Sequence, residues 1–254
     1  FGGHWAEGRD SSTVEVMTVR LDITSQRNQV AQFKGGFELV ASDYDVNQRR
    51  LETFFLSGAS PKFYWKRNPR QFAAYVQTKL EFNAMIANMG VRWDRWDSSG
   101  QWWAYENFTT AFSAKIGKKN LESALETAPV KKQSYFSPRL GISFPVTADS
   151  KLFFNYGHFR QMLNPHSLFL VDETAQGNVS EIGNPNAPMP RTINYELGFE
   201  QNLFDRYLLR ISGYYKANDD QSNRVNYTNL DETVLYALWE PLNYDDIRGF
   251  ELTL

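Results

Sequence analysis

The sequence predicts an all-β fold: a partial antiparallel transmembrane β-barrel, with short turns at one end of its strands and long loops at the other. Three observations predict it. Aromatic residues make up 15% of the 254 residues, yet mean hydropathy is −0.51. A barrel produces that pairing because only alternate residues of each strand meet lipid, while lumen and loops stay polar. Long stretches alternate apolar and polar side chains with period 2, the mark of a strand with two different faces. Their connections also alternate strictly between tight and long.

The first strand covers residues 13 to 24, with Met17, Val19, Leu21 and Ile23 opposite Thr18, Arg20 and Asp22. After the turn SQRN, Ala31, Phe33, Phe37 and Leu39 oppose Gln32, Lys34 and Glu38. A third strand sets Phe72, Ala74, Val76, Leu80 and Phe82 against Gln71, Gln77, Lys79 and Glu81. A fourth, just past Asn83, sets Met85, Ala87, Met89, Val91 and Trp93 against Asn88, Arg92 and Asp94. Phe136, Leu140, Ile142, Phe144 and Val146 then alternate with Ser137, Arg139 and Ser143, and TADS leads into KLFFNYGHF. Pro138 lies inside this alternation, where a proline cannot donate to a ladder; its place near the strand's start softens the conflict. A further hairpin places Ile193, Tyr195, Leu197 and Phe199 against Asn194, Glu196 and Glu200, then Tyr207, Leu209, Ile211 and Tyr215 against Arg210, Ser212 and Lys216. A last strand, RGFELTL, puts Phe250, Leu252 and Leu254 on one face.

Turns fall near residues 25 to 28, 83, 147 to 150 and 202 to 206, and long loops at 42 to 69, 98 to 134, 161 to 190 and 217 to 245. Structureless loops longer than about 12 to 15 residues are uncommon in compact domains. A soluble sandwich or propeller is the competing fold, in which the apolar faces would meet in a dry core. Within the second long loop, Phe108, Phe112, Ile116, Leu121 and Leu125 have helical spacing and predict a short helix.

Composition excludes several classes. The formal charge is −2 and the pI about 6.0, so no basic excess points to nucleic acid. Without cysteine there are no disulfides, thiolate metal sites or cysteine nucleophiles. No apolar run has the length of a spanning helix. The opening FGGHWAEGRD lacks the basic end and apolar core of a signal peptide, so either the chain begins within a longer protein or the protein is not exported. His4, His158 and His166 have no metal-ligand spacing, and phosphate cradles and nucleophile elbows are absent. NFT, NVS and NYT match glycosylation acceptors, a match without meaning in a bacterial protein. The expectation is a protein with no metal, no cofactor and no enzymatic activity.

Candidate functional residues divide into three groups. Arg20, Lys34, Glu38, Arg139, Glu196 and Glu200 are expected to face the lumen, where cross-strand charge pairs contribute about 0.2 to 1 kcal/mol each. Trp93, Trp96, Tyr156, Tyr214 and Tyr215 lie near strand ends and are expected to form the aromatic girdle at the headgroup boundary. Phe63, Tyr64, Trp65, Trp102, Trp103 and Tyr105 fall in the long loops, where rings either grip a ligand or pack the loops together.

Several segments resemble TonB-dependent outer-membrane receptors. PRQFAAYVQTKLEFNAMIANMGVRWDRWD resembles a strand, periplasmic turn and strand of that barrel, "aaYvqDkiEf" leading into "GlRyD", with Thr78 replacing the aspartate. SYFSPRLGISFPVTADSKLFFNYGHFRQ and NYELGFEQNLFDRYLLRISGYYKANDD are similar to the following hairpins, and NYDDIRGFELTL to the entry of the next strand. The family's "NPxLxPE" approach reads NPNAPMPRT here. The likeness covers most of residues 70 to 254, nearest to the branch with a carboxypeptidase-regulatory-like N-terminal domain. It implies a 22-stranded, plugged barrel in the bacterial outer membrane. This chain would supply about nine strands, with the plug and other strands outside it. Implied partners are outer-membrane lipid, the protein's own plug and remaining strands, the TonB complex reached through the N-terminal region, a surface lipoprotein, and a small-molecule or oligosaccharide ligand. Import of an iron chelate, cobalamin or oligosaccharide is the implied function. A soluble or surface-exposed glycan-binding module is the alternative, and a barrel-embedded hydrolase would need paired catalytic residues that the sequence does not show.

Overall fold

The computed structural model describes residues 5–53, 62–112, 121, 124–173 and 179–254. Strands β1 (Trp5–Asp10), β2 (Thr13–Gln26), β3 (Ala31–Thr53), β4 (Lys62–Arg67), β5 (Arg70–Phe82) and β6 (Met85–Asp97) open the chain. After β7 (Gln101–Trp103), a 3-10 turn (Thr110–Phe112) and β8 (Thr127–Pro129) come β9 (Gln133–Thr147) and β10 (Ser150–Arg160). The helix α1 (Pro165–Phe169), β11 (Val171–Glu173) and β12 (Val179–Ile182) lead to β13 (Arg191–Leu203), β14 (Tyr207–Thr228) and β15 (Leu235–Thr253).

One sheet joins nearly all of them, in the order β1-β3-β5-β6-β9-β10-β13-β14-β15-β12-β11, with β2 and β4 also on β3. β1 and β2 flank the same side of β3, at Gln48–Thr53 and Gln32–Asp45 respectively, and form a single stave. β4 and β5 do the same on its other side. Counting these pairs once, nine antiparallel staves follow one another: β1/β2, β3, β4/β5, β6, β9, β10, β13, β14 and β15. Neighbours in sequence are neighbours in space, as in an up-and-down barrel wall.

The tight turns fall where alternation predicts. Phe204 and Asp205 take positive φ, and the Arg206 N–H returns to the Leu203 carbonyl at 3.1 Å. Pro138 lies within β9. The β9–β10 ladder stops at Arg139–Gly157, one residue before it, while pairing with β6 runs through Val91–Pro138.

The staves are longer than the alternation indicates. β3 continues to Thr53 and β14 to Thr228, so much of the expected loops 42 to 69 and 217 to 245 is strand. Period 2 fades there because SDYDVNQRR and NDDQSNRVNYT are mostly polar on both faces, and only Tyr44, Val46 and Tyr227 turn to the loop core. The helix expected after Phe108 falls largely on residues outside those described. Thr110–Phe112 is a 3-10 turn, and the Leu125 N–H reaches the Leu121 carbonyl at 2.9 Å.

Leu197 on β13, Phe136 on β9 and Val76 on β5 lie on one face of the sheet and are exposed, on staves paired on both sides. A soluble sandwich would bring such faces together, and here nothing covers them. The opposite face is concave and polar: a recess in it is lined by Arg20, Tyr75, Arg92, Arg139, Asn155 and Glu196, drawn from strands as far apart as β2 and β13. Leu197→Arg, roughly midway along β13, is expected to cost about 2–4 kcal/mol in the bilayer, whereas Ser143→Arg on the concave face leaves stability near wild type. Urea refolding of the full-length protein into lipid vesicles checks both.

Candidate functional site

Two features stand on this frame: a charged inner wall and a packed cap of loops. Parity fixes the wall. Because side chains alternate at every step, directly paired residues share a face, and the pairs Lys34–Gln77, Asn155–Glu196 and Glu200–Arg210 put their members on the concave side. Arg20 binds Asp22 at 2.6 Å and approaches Glu38 at 3.8 Å. Arg92 bridges Glu38 at 3.6 Å and Asp94 at 2.9 Å. Farther round, Arg210 lies between Glu196 (3.1 Å) and Glu200 (3.7 Å), and Lys151 meets Glu200 at 2.7 Å. All six residues expected in the lumen therefore share this face, with Tyr75, Arg92, Phe153 and Arg210 among their neighbours. Parity was the only sequence signal for the two rings.

Glycines opposite rings keep the wall thin. Tyr75 lies across Gly36 and donates to Asp22 Oδ1 at 2.6 Å; a Cβ on Gly36 would stand 2.9 Å from its Cε1. Phe153 lies across Gly198, where a Cβ would fall 2.2 Å from its Cζ, and the Arg210 guanidinium stacks 4.8 Å from the same ring.

Above the wall the loops share one apolar core. Trp65, Trp96, Trp102, Phe112, Leu168, Phe169, Ile182 and Tyr236 belong to it, although they come from β4, β6, β7, the 3-10 turn, α1, β12 and β15. α1 starts because Asn164 caps it, accepting the His166 N–H at 2.9 Å, with Pro165 in the first turn. The stretch from 185 to 190 is tied to the wall. Ser98 Oγ donates to the Pro185 carbonyl at 3.0 Å, Gln133 Nε2 to the Ala187 carbonyl at 2.8 Å, and the Met189 N–H to Tyr135 Oη at 3.0 Å. β12 joins β15 in parallel, and Glu181 accepts from Arg224 Nε at 2.9 Å and Trp239 Nε1 at 2.7 Å.

The loop aromatics divide accordingly. Trp65 is only 8% exposed, packed on Tyr44 and Phe169, and Trp102 is 5% exposed beside Trp103. Arg67 lies 5.4 Å from the Trp102 ring and 5.8 Å from that of Phe169, and burial lowers its pKa. Tyr105 packs on Phe112 at 5.0 Å, Phe63 meets His166 edge-on, and Tyr64 is 50% exposed.

The girdle residues also separate. Tyr156, Tyr195 and Tyr215 form a row on the convex face, with centroids 5.1 and 6.2 Å apart, and Trp93 shares that face beside Phe72. Trp96 and Tyr214 have the opposite parity. Trp96 is buried in the loop core, and Tyr214 stands across from Gly249, with its Oη 2.8 Å from where a Cβ would be. Nearness to a strand end suggested all five; parity puts Trp93, Tyr156 and Tyr215 on the convex face and the other two on the opposite one. His158 stands by Tyr156 (Oη to Nε2, 2.6 Å) and His166 in α1, while His4 lies outside the described residues, among which no three His, Cys, Asp or Glu converge on a metal.

A curved sheet of long antiparallel staves, apolar outside and charged inside, is the wall of an outer-membrane barrel. The model of the family "TonB dependent receptor-like, beta-barrel" matches residues 5–254, and the chain belongs to that family. Its place is the bacterial outer membrane. The copper transporter OprC has a similar fold, with a TM-score of 0.59 at 15% identity over 95% of this chain and 35% of that one. The Serratia marcescens hemophore receptor HasR gives 0.57 at 15% over 95% and 46%. The Escherichia coli K12 ferric-catecholate import receptor Fiu gives 0.56 at 15% over 96% and 35%. The chain thus spans a third to a half of these structures. Comparison with curated proteins finds no match.

Burial raises the pKa of the Tyr105, Tyr227 and Tyr236 hydroxyls in the cap above the ordinary 10.0, and neighbouring phenols and Glu240 add to it. Because the folded values are raised, their stabilising effect is complete below pH 10 and is lost as pH rises through them. Tyrosinate absorbance of the full-length protein is expected to show a late-ionising class above pH 10, accompanied by loosening of the loops to added protease.

Proposed function

We propose that the whole protein, of which this chain forms part of the wall, imports a scarce solute across the outer membrane with energy from the TonB system. The carrying observation is the pairing of a charged concave wall with a packed loop cap, in a chain of a receptor family. HasR, OprC and Fiu carry names that refer to heme, copper and ferric catecholates; an iron chelate, cobalamin or an oligosaccharide is the solute class proposed here. Phe63, Tyr64, Trp103 and Tyr105 retain surface for a ligand, and Trp65 and Trp102 support them from beneath. Trp93, Tyr156 and Tyr215 are the proposed girdle. A plug and the remaining strands fill and close the barrel, a surface lipoprotein is a further partner, and the protein carries out no chemistry of its own.

The test is deletion of the gene, with uptake of labelled ferric chelates, cobalamin and maltooligosaccharides measured in turn, and fractionation of the full-length protein. Loss of one uptake activity, with heat-modifiable mobility in the outer-membrane fraction, is expected. Recovery of the protein in the soluble fraction, or unchanged uptake of every solute, would sink the proposal.

A further inference from the structure

The recess in the concave wall has a volume of about 640 Å³. Its floor is glycine-lined: Gly90, Gly141 and Gly157 carry no side chain there, and the Phe159 ring lies over Gly157, 3.1 Å from where a Cβ would be. Gly90 and Gly157 flank Arg139 in one cross-strand row, and Gly141 lies between Asn88 and Asn155 in the next. A Cβ at Gly90 would stand 2.9 Å from the Val76 carbonyl oxygen, and one at Gly141 3.0 Å from Asn155 Oδ1. Side chains at these positions would both strain the wall and fill the hollow.

The groups around the floor are unevenly matched. Arg20 and Arg92 each meet a carboxylate at 2.9 Å or less. Arg139 is different: among the described residues no carboxylate reaches it, and its guanidinium stacks 4.7 Å from the Phe159 ring centroid. Gln77, Asn88 and Asn194 line the same hollow, and Asn194 Oδ1 is buried with no hydrogen-bond partner. A guanidinium has five N–H donors and no acceptor, and each amide adds two donors and one acceptor. Glu196, the carboxylate in the lining, accepts from Asn155 at 3.0 Å and from Arg210 at 3.1 Å. That leaves the Arg139 fork as the charged donor without a carboxylate among the described residues, and Asn194 Oδ1 as an acceptor suited to a hydroxyl.

We propose that this recess binds a carboxylate flanked by further oxygen acceptors, as in a hydroxylated organic acid. Arg139 grips the carboxylate through two parallel N–H donors, the geometry for which a guanidinium fork is suited. The amides take the neighbouring hydroxyl or carbonyl oxygens, and Phe159 holds the guanidinium plane. Two sources supply such a group: a solute passing along the wall, which rests on the transport reading, and an acidic side chain elsewhere in the full-length polypeptide.

Calorimetric titration of the full-length protein in detergent separates them, with galacturonate as the acid and galactose as its neutral match. Heat-modifiable mobility confirms that each variant is folded. A solute site binds galacturonate and not galactose; R139Q weakens binding about tenfold or more, and R139K, which keeps the charge but not the fork, falls between. An internal carboxylate leaves wild type silent to galacturonate and lowers the unfolding temperature in R139Q, with recovery in R139K. No acid binding together with an unchanged unfolding temperature in R139Q would overturn the proposal. Uptake in the deletion strain is read separately, so transport and acid binding can fail independently.

Discussion

The wall depends on one requirement: in hydrocarbon every backbone N–H and C=O must be bonded within the sheet, since each unsatisfied group costs several kcal/mol. Long staves, tight turns and strictly antiparallel order between sequence neighbours all serve it. The long ladders run through most of the apolar band, apart from the end of β9–β10 pairing at Arg139–Gly157 and a shift at Ser150, and further interruptions lie beyond it. β1 and β2 part at Ser11–Ser12, where Ser12 Oγ accepts the Asn47 N–H at 3.0 Å and the Ser11 N–H donates to the Asn47 carbonyl at 3.0 Å. β4 and β5 part at Asn68–Pro69, and the β14–β15 register shifts around Asp220, which has φ of 57°. Each of these further breaks lies toward the loop end of its stave, where water is available to satisfy backbone groups.

The same requirement explains what could be read from the residues alone. Lipid on one side and water on the other impose period 2, so the hairpins from Arg70 to Asp97 and from Arg191 to Lys216 were legible as strands, with the faces of the alternating residues in their middles. Beyond the lipid the period fades, because the outer parts of β3 and β14 are mostly polar and only Tyr44, Val46 and Tyr227 pack on the loop core, so these parts looked like loops. The cap left no local signal at all. Trp65, Phe112, Leu168 and Tyr236 meet across long sequence separations, and no window of residues records such a meeting. Trp96 and Tyr214 show a narrower limit: residue type and nearness to a strand end suggested lipid contact, while one step of alternation places them inside.

On the inner face, chemistry and thickness are coupled. A ring laid over a glycine of the next strand covers the exposed backbone without adding bulk, a device known to restore sheet stability lost at glycine. Tyr75 over Gly36 also delivers its hydroxyl to Asp22, whose other partner is Arg20, so packing and charge pairing reinforce each other there. Around Arg139, Gly90 and Gly141 have no ring over them and Gly157 is covered only by Phe159 of its own strand, and the wall is hollow there. Glycines under cross-strand rings where charges are paired, and a glycine-lined hollow where a guanidinium has no carboxylate among the described residues, distinguish a structural part of the wall from one suited to receive something.

The cap carries a consequence for how the loops move. Residues from β4, β6, α1, β12 and β15 share one core, and Leu168, Phe169, Ile182 and Tyr236 are almost wholly buried in it. Opening any one loop alone would expose its neighbours' apolar surface, at roughly 25 cal/mol for each Å² uncovered. Moving these segments together leaves that core covered and so costs less than opening one loop by itself.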